Sequence, residues 1–136
     1  MSRKEAREIA YKMLFSQSFG TTGWDKSDIV AILDEGQKIG EKDIQFIQSI
    51  VKGVTNHQAE ITQLIEKNLQ NYKMNRVLST DMAALKLATY ELLYTDTPGG
   101  IVINEAIDIV KKYSSEKSFS FVNGVLSKIF KEISNE

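Results

Sequence analysis

The sequence of 136 residues predicts an all-α protein. Apolar residues recur every three to four positions along most of the chain, which is the period of a helix with one buried face. Runs of alternating apolar and polar residues, which are typical of half-buried strands, are missing. Proline occurs once, at Pro98, so little interrupts the helices. We therefore expect a compact bundle of about seven short helices.

The first two predicted helices lie on either side of a loop. Helix one covers about residues 3–18, with its apolar residues on one face. The glycine- and threonine-rich segment 20–28 is predicted to be a loop. Ser27 can cap a short second helix, which is expected to end near Gly36 because glycine favours helix ends.

The third and fourth predicted helices are separated by a break. Helix three begins at Glu41 and carries isoleucine and valine at helical spacing. The side chains of Asn56 and His57 compete for backbone hydrogen bonds, so we expect the chain to break there. Helix four follows over about residues 61–69.

The last three helices follow a connector over residues 70–79. Either Ser79 or Thr80 is expected to cap helix five, and Asp81 suits the positive end of its dipole. "TDTPGG" ends this helix. Helices six and seven cover about residues 101–113 and 118–133.

Composition excludes several kinds of site. Cysteine is absent and His57 is the one histidine, which excludes disulfides, thiolate metal sites and multi-histidine metal sites. No apolar run of about 18 residues is present, and the amino terminus has no signal-peptide core. We expect a cytoplasmic protein, a single domain over residues 1–136, with no cofactor or metal.

Candidate catalytic groups are few. The segment "TPGG" lacks the lysine and hydroxyl residue of a phosphate-binding loop. Glu105 and Asp108 could act as general acid and base, but the favoured explanation is two solvated carboxylates early in a helix, where the dipole stabilises them. His57 could be a general base, but no nucleophile or orienting partner lies near it in sequence. The sequence favours a non-enzymatic protein.

Charge is balanced overall but biased locally. The net charge is −1, which argues against a basic coat for nucleic acid. Residues 2–12 carry four basic residues and two acids, a surplus of two positive charges. This modest bias allows a basic face on the first helix.

An Asn-Gly pair lies inside the predicted seventh helix. The helical spacing of apolar residues continues on both sides of Asn123 and Gly124, although the glycine lowers helix stability by about 1 kcal/mol. One explanation is packing: Gly124 would let a neighbouring backbone approach, and Asn123 would bond a helix end.

Four segments, in matching order, resemble the bacterial transcription antitermination factor NusB. They fall between residues 6 and about 130, so the resemblance spans nearly the whole chain, and the last two segments are more specific than ordinary helix patterning. The segments are AREIAYKMLFS (6–16), LKLATYELLY (85–94), INEAIDIVKKY (103–113) and FVNGVLSKI (121–129).

The resemblance implies a NusB-like all-α fold in two helical halves and no catalysis. Members of that family bind the boxA element of ribosomal-operon leader RNA together with NusE, a small-subunit ribosomal protein. Through other Nus factors they help an RNA polymerase elongation complex to read through terminators. Relatives occur as monomers or as homodimers that cover the basic surface.

The resemblance also implies RNA-binding residues on the first helix. The family's basic positions fall on Arg3, Lys4 and Arg7. Glu5 stands where a further arginine is common, which should weaken attraction for phosphates. An ordinary charged helix start is the competing interpretation.

Three further RNA-binding positions follow from the same resemblance. Phe15 and Phe121 fall on aromatic positions that contact RNA in the family, where unpaired bases stack on rings. Both could instead belong to the core. Direct contact with RNA is also the alternative explanation for Asn123 and Gly124. Lys117 stands where some relatives carry an aspartate, and as a cation it could bind phosphate. The prediction requires the first helix and the start of the last to lie side by side.

Asp81 matches an acidic position on the face where the family docks its NusE partner. It could therefore pair with a basic partner residue, or simply stabilise the start of its helix. Two other functions remain open: a helical adaptor that binds only protein, and a ligand-binding or enzymatic bundle with a deep polar pocket.

Overall fold

The structure is a computed structural model that describes residues 1–20, 23–70 and 72–135. Within these ranges the chain forms seven α-helices and no strand, which confirms the predicted fold class. A 3₁₀ turn, Met74–Arg76, lies in the connector before the fifth helix. The helices are α1 (Arg3–Gln17), α2 (Lys26–Ile32), α3 (Glu41–Asn56), α4 (Gln58–Lys67), α5 (Ser79–Tyr94), α6 (Gly99–Tyr113) and α7 (Glu116–Ser134).

The first helix begins with a reciprocal cap. The Ser2 hydroxyl accepts a hydrogen bond from the backbone N–H of Glu5, and the Glu5 carboxylate accepts one from the backbone N–H of Ser2. These bonds satisfy backbone donors that a helix start leaves free. They also hold the pKa of Glu5 below its ordinary value, the Ser2 backbone bond first among the causes. The cap therefore fixes where the basic end of α1 begins.

The second helix differs from its prediction at both ends. Asp25 caps it, and the Ser27 hydroxyl donates to the Asp25 carboxylate at 2.6 Å. The helix ends at Ile32 because Leu33 takes an extended backbone conformation, and Gly36, with φ +80°, lies beyond it. The predicted loop 20–28 is therefore shorter than expected, and its residues 21 and 22 lie outside the described ranges.

The fifth helix has no side-chain cap. Ser79 and Thr80 were expected to cap it, but Leu78 precedes the helix and both polar residues lie inside the first turn. The Thr80 hydroxyl is instead 3.2 Å from that of Ser114 on the segment between α6 and α7. Residue 71 of the connector before this helix lies outside the described part of the chain.

Helix α5 is the centre of the bundle, because it packs against α1, α3, α4, α6 and α7. Its small residues Ala83, Ala84 and Ala88 are buried and let neighbouring helices approach. Burial on most sides also encloses polar residues of α5, namely Asp81, Thr89 and Glu91. A buried polar group requires partners. Asp81 and Glu91 bond to other elements and tie α5 to them, whereas the Thr89 hydroxyl has no hydrogen-bond partner among the described residues.

The predicted break between α3 and α4 is confirmed. Helix α3 ends at Asn56, His57 lies between the helices, and α4 begins at Gln58. Among the described residues, no helix combines the length and the apolar character that crossing a membrane requires.

Candidate nucleic-acid interface

Arg3 is the exposed cation at the start of α1. Its guanidinium carbon lies 3.9 Å from the centre of the Phe46 ring on α3, which is cation–π geometry. Within the described ranges it forms no ion pair with a carboxylate. Arg3 is therefore held in place while its charge stays uncompensated.

Lys4 belongs to a seam of paired charges between α1 and α6, which we call the α1–α6 seam. The Lys4 ammonium lies 3.1 Å from the Asp108 carboxylate, and one turn later Lys112 lies 2.6 Å from Glu8. The hydrogen bond to Asp108 raises the pKa of Lys4. Two cations and two carboxylates alternate here, so the seam attracts phosphates less than its lysines alone suggest.

Glu8 accepts hydrogen bonds from Lys112 and from the Tyr113 hydroxyl. Burial alone would raise the pKa of Glu8, but these bonds outweigh burial and hold it below the ordinary value of 4.5. The Tyr113 ring also stacks on Tyr11 of α1 at 5.5 Å. The seam therefore joins the two helices by charge and by ring contact.

The lowered pKa of Glu8 predicts an acid-sensitive contribution to stability. Because the folded-state pKa is depressed, the contribution is present above the unfolded-state value and is lost as the pH falls through the folded-state value. We expect Glu8→Gln to lower stability at pH 7 and to be nearly neutral at pH 3. Urea unfolding at both pH values checks this, and an equal loss at both would contradict it.

Arg7 is not part of the exposed surface. Its side chain is buried, and its Nε lies 2.9 Å and 3.0 Å from the two carboxylate oxygens of Glu91 on α5. Burial raises the pKa of Glu91, although the Arg7 hydrogen bond lowers it. The charge of Arg7 is compensated inside the protein, which argues against the predicted contact with RNA.

Phe15 packs partly against the core and remains partly exposed. Its ring is half-buried against the core and meets Phe19 edge to face at 5.0 Å. Phe19 was not predicted as a site residue, but 70% of it is exposed. Together they form an aromatic surface at the end of α1.

Lys117 and Phe121 lie on the first turns of α7. Lys117 is exposed, and no described carboxylate pairs with it. Phe121 is half-buried, and its ring centre lies 4.9 Å from that of Tyr72 in the connector after α4. Tyr72 is 53% exposed. A free cation and two accessible rings therefore occupy one side of α7.

The Asn-Gly pair in α7 is not a packing device. Asn123 and Gly124 are both exposed. A Cβ added to Gly124 would meet no described atom within 4 Å, so no neighbouring backbone approaches it. The packing explanation is wrong, and the glycine leaves an open place on the surface.

Asp81 is turned inward instead of toward a partner. It is 4% exposed and accepts hydrogen bonds from the hydroxyls of Ser114 at 2.9 Å and Ser118 at 2.8 Å. Its carboxylate ties the start of α5 to the junction of α6 and α7. This burial argues against the predicted direct pairing of Asp81 with a partner residue.

The first helix and the start of the last are connected through other elements. Helix α1 packs chiefly on α3 and α5, whereas α7 packs on α5 and α6. The Tyr11 hydroxyl donates to the Thr80 carbonyl oxygen at 3.0 Å, and Thr80 contacts Ser114, which bonds Ser118. The predicted side-by-side arrangement is therefore indirect, with the first turn of α5 between the two helices.

Sequence reasoning missed several exposed residues around this region. Lys111 lies 4.8 Å from the Phe119 ring and borders a cleft of about 650 Å³ between α6 and α7. Lys128 lies further along α7. Lys128 could have been found from its helical spacing to Lys117, but Tyr72, in a connector, carries no periodic signal.

The candidate catalytic residues are not brought together as acid and base. Asp108 is exposed and paired with Lys4. Glu105 is half-buried with one carboxylate oxygen unbonded, which differs from the solvated carboxylate expected. His57 stacks on Tyr94 at 4.1 Å. Among the described residues, no group of three or more acidic or histidine side chains is placed to hold a metal ion.

The bundle has the fold class of the transcription antitermination proteins. The solved structure of NusB from T. maritima superposes with a TM-score of 0.83 and 36% identity, covering 97% of this chain and 92% of that one. A structure of antitermination factors NusB and NusE in complex with dsRNA superposes with a TM-score of 0.80 at 30% identity, covering 96% of each chain.

Sequence comparison identifies the family. The NusB family model matches residues 4–131. The chain is 41% identical to the transcription antitermination protein NusB of Clostridium botulinum, covering 97% of this chain and all of that protein. It is 35% identical to the Staphylococcus aureus protein over 96% of this chain and all of that one. The chain belongs to the NusB family.

Proposed function

We propose that this protein is a non-catalytic antitermination factor that binds boxA RNA of ribosomal-operon leaders together with a NusE-like ribosomal protein. The whole chain, residues 1–136, acts as one helical RNA-binding unit. It joins the RNA polymerase elongation complex through other Nus factors, in the cytoplasm where transcription takes place. A family relative solved with NusE and dsRNA supports this assignment.

The observation that carries RNA binding is the set of cations without carboxylate partners beside accessible rings. Arg3 on α1 and Lys117 on α7 keep their charges free, and Phe15 and Phe121 offer ring faces. Single-stranded RNA is bound through backbone contacts to cations and stacking of bases on aromatic rings. Lys4 contributes less, because Asp108 compensates it.

One observation favours a second function, that of a protein-binding adaptor without RNA contact. The α1–α6 seam is neutral and Arg7 is internal, so the basic start of α1 is weaker than its sequence suggests. An adaptor would need only the surface of the central and later helices. The two functions differ in whether RNA affinity depends on salt and on the free cations.

The test is a titration of boxA RNA at two salt concentrations, with and without the ribosomal partner and with scrambled RNA as control. We expect Arg3→Ala/Lys117→Ala to weaken binding and to reduce the slope of log K against log salt by about 1.4, since each phosphate contact on a single strand contributes about 0.7.

The matched control removes two positive charges from a different part of the surface. Lys26→Ala/Lys52→Ala takes away two exposed lysines on α2 and α3 and should leave the slope within about 0.3 of the unmodified protein. No preference of the unmodified protein for boxA over scrambled RNA at either salt concentration, with binding of the ribosomal partner retained, would support the adaptor instead.

A further inference from the structure

A pocket opens where the end of α1 meets the junction of α3 and α4, beside the middle of α5. We call it the Lys86 pocket, and its volume is about 290 Å³. Leu14 and Trp24 give it apolar surface, and Gln17 and Gln58 give it side-chain amides. Lys86 of α5 also lines it. The pocket is at the opposite end of α1 from Arg3.

Lys86 is a half-buried cation without a counter-charge. Within the described ranges no carboxylate forms an ion pair with its ammonium. Burial lowers the pKa of Lys86, and no acidic group raises it again. Removing a charge from water is unfavourable unless another group compensates it. Lys86 therefore differs from Lys4 and Lys112, which pair with carboxylates.

The polar groups around Lys86 can donate hydrogen bonds to an anion. In the described part of the chain, the side-chain amides of Gln17 and Gln58 bond no other protein group, so their N–H groups are free for a ligand. Helix α4 begins at Gln58 without a side-chain cap, so the positive end of its dipole adjoins the pocket. Glu60 on the same turn lies outside the lining and accepts a hydrogen bond from the Tyr94 hydroxyl.

The Lys86 pocket suits a ligand with one carboxylate on a short apolar stem. An ammonium and two amides can donate to the two oxygens of a carboxylate, and Leu14 and Trp24 can cover the methylene groups of the stem. In the described lining Lys86 is the one charged residue, whereas nucleic acid is held by several cations along its backbone. The volume is close to the lower limit of about 300 Å³ for ligand pockets, so it accommodates one small group.

We propose that Lys86, Gln17 and Gln58 form a binding site for a single carboxylate on a short apolar stem. Two sources have this chemistry: a glutamate side chain of a bound protein and a small free carboxylic acid. The site shares no residue with the RNA interface proposed above, and it does not depend on that function. It explains why α5 carries an unpaired, half-buried lysine, because the ligand supplies the missing counter-charge.

The test is an NMR titration of the isotopically labelled full chain with sodium butyrate at constant ionic strength. We expect saturable shifts of the Lys86 side-chain resonances and of the backbone amides of Gln17 and Gln58. The pKa of Lys86 should rise when butyrate is bound, since a nearby carboxylate favours the charged ammonium. Butyramide, which has the same stem without the charge, should cause no saturable shift.

Two substitutions separate binding from folding. Lys86→Met keeps the length of the stem and removes the charge, so its melting temperature should equal or exceed that of the unmodified protein. Its affinity for butyrate, read from the amides of Gln17 and Gln58, should fall at least about tenfold. Lys52→Met removes an exposed lysine on α3 and should leave that affinity unchanged.

The result that would overturn the proposal is a response that does not depend on the Lys86 charge. Equal shifts with butyrate and butyramide, equal butyrate affinity in the unmodified protein and Lys86→Met, or no saturable shift at all would each show that Lys86 only extends its stem along the bundle surface.

A second titration identifies the source of the carboxylate. If the ribosomal partner displaces butyrate and binds Lys86→Met about tenfold more weakly than the unmodified protein, the site accepts an acidic side chain of that partner. If butyrate stays bound in the complex and Lys86→Met binds the partner normally, the site accepts a free carboxylic acid.

Discussion

Arg7→Met is expected to destabilise the protein by about 3–5 kcal/mol, because it leaves the buried carboxylate of Glu91 without its counter-charge. Both side chains are almost fully enclosed, so solvent screens their interaction little. Urea unfolding at pH 7 measures the loss. Below its melting temperature, the variant should bind RNA nearly as well as the unmodified protein, since Arg7 lies inside the bundle.

The stability loss in Arg7→Met should depend on pH through the protonation of Glu91. Burial already raises the pKa of Glu91, and removing Arg7 raises it further. A raised folded-state pKa contributes stability at low pH that is lost as the pH rises through that value. The deficit of Arg7→Met should therefore be smaller at pH 4 than at pH 7.

A double variant separates loss of the pair from exposure of one charge. Arg7→Met/Glu91→Met replaces both partners with apolar side chains and should be more stable than Arg7→Met alone, since no unpaired charge remains. Additive losses in the two single variants and the double variant would show that the ion pair is not the source of the effect. A fall in RNA affinity in the folded Arg7→Met protein would show that Arg7 contributes to RNA binding.

Asp81→Ala is expected to lower the free energy of unfolding by about 2–3 kcal/mol. The substitution removes the acceptor for two serine hydroxyls in a buried site. A hydrogen bond to a charged group contributes about 1.5–3 kcal/mol. The two hydroxyls lie 2.8 Å apart and can still bond each other, so the net loss is that of about one such bond. The junction between α6 and α7 should loosen, which hydrogen exchange of residues 114–119 would detect.

The control for Asp81 is a carboxylate that the fold does not enclose. Asp96→Ala removes an exposed acid beyond the end of α5 and should change stability by less than about 0.5 kcal/mol. Unchanged stability in Asp81→Ala, together with loss of ribosomal-partner binding, would restore the direct docking role that its burial argues against.

Helical periodicity was sufficient for the fold because burial follows it directly. The break at His57 and the start of α3 at Glu41 could be predicted from local residues alone. The capping residue of α2 was harder to predict, because Asp25 and Ser27 are two residues apart and both side chains can accept the backbone hydrogen bond. The structure assigns the cap to Asp25, with Ser27 as its hydrogen-bond donor.

The roles of charged and glycine residues depend on contacts that local patterns do not contain. Arg7 and Glu91 are 84 residues apart, and only the packing of α1 on α5 brings them together. The residues around Gly124 do not indicate whether its side of α7 packs against another element. The structure shows that this side is exposed. The resemblance to relatives was enough to predict Phe121 and Lys117 as site residues. Tyr72 could be identified only from the structure, which places its ring beside that of Phe121.

The most direct test of the central claim, that RNA lies along the exposed side of α7 around Lys117 and Phe121 and along the exposed end of α1, is an NMR titration of the isotopically labelled protein with boxA RNA. We predict the largest backbone amide shifts at Arg3, at Tyr72 and across residues 117–128, with little change in α2. Shifts concentrated on α2 and α3, with residues 117–128 unperturbed, would contradict this account.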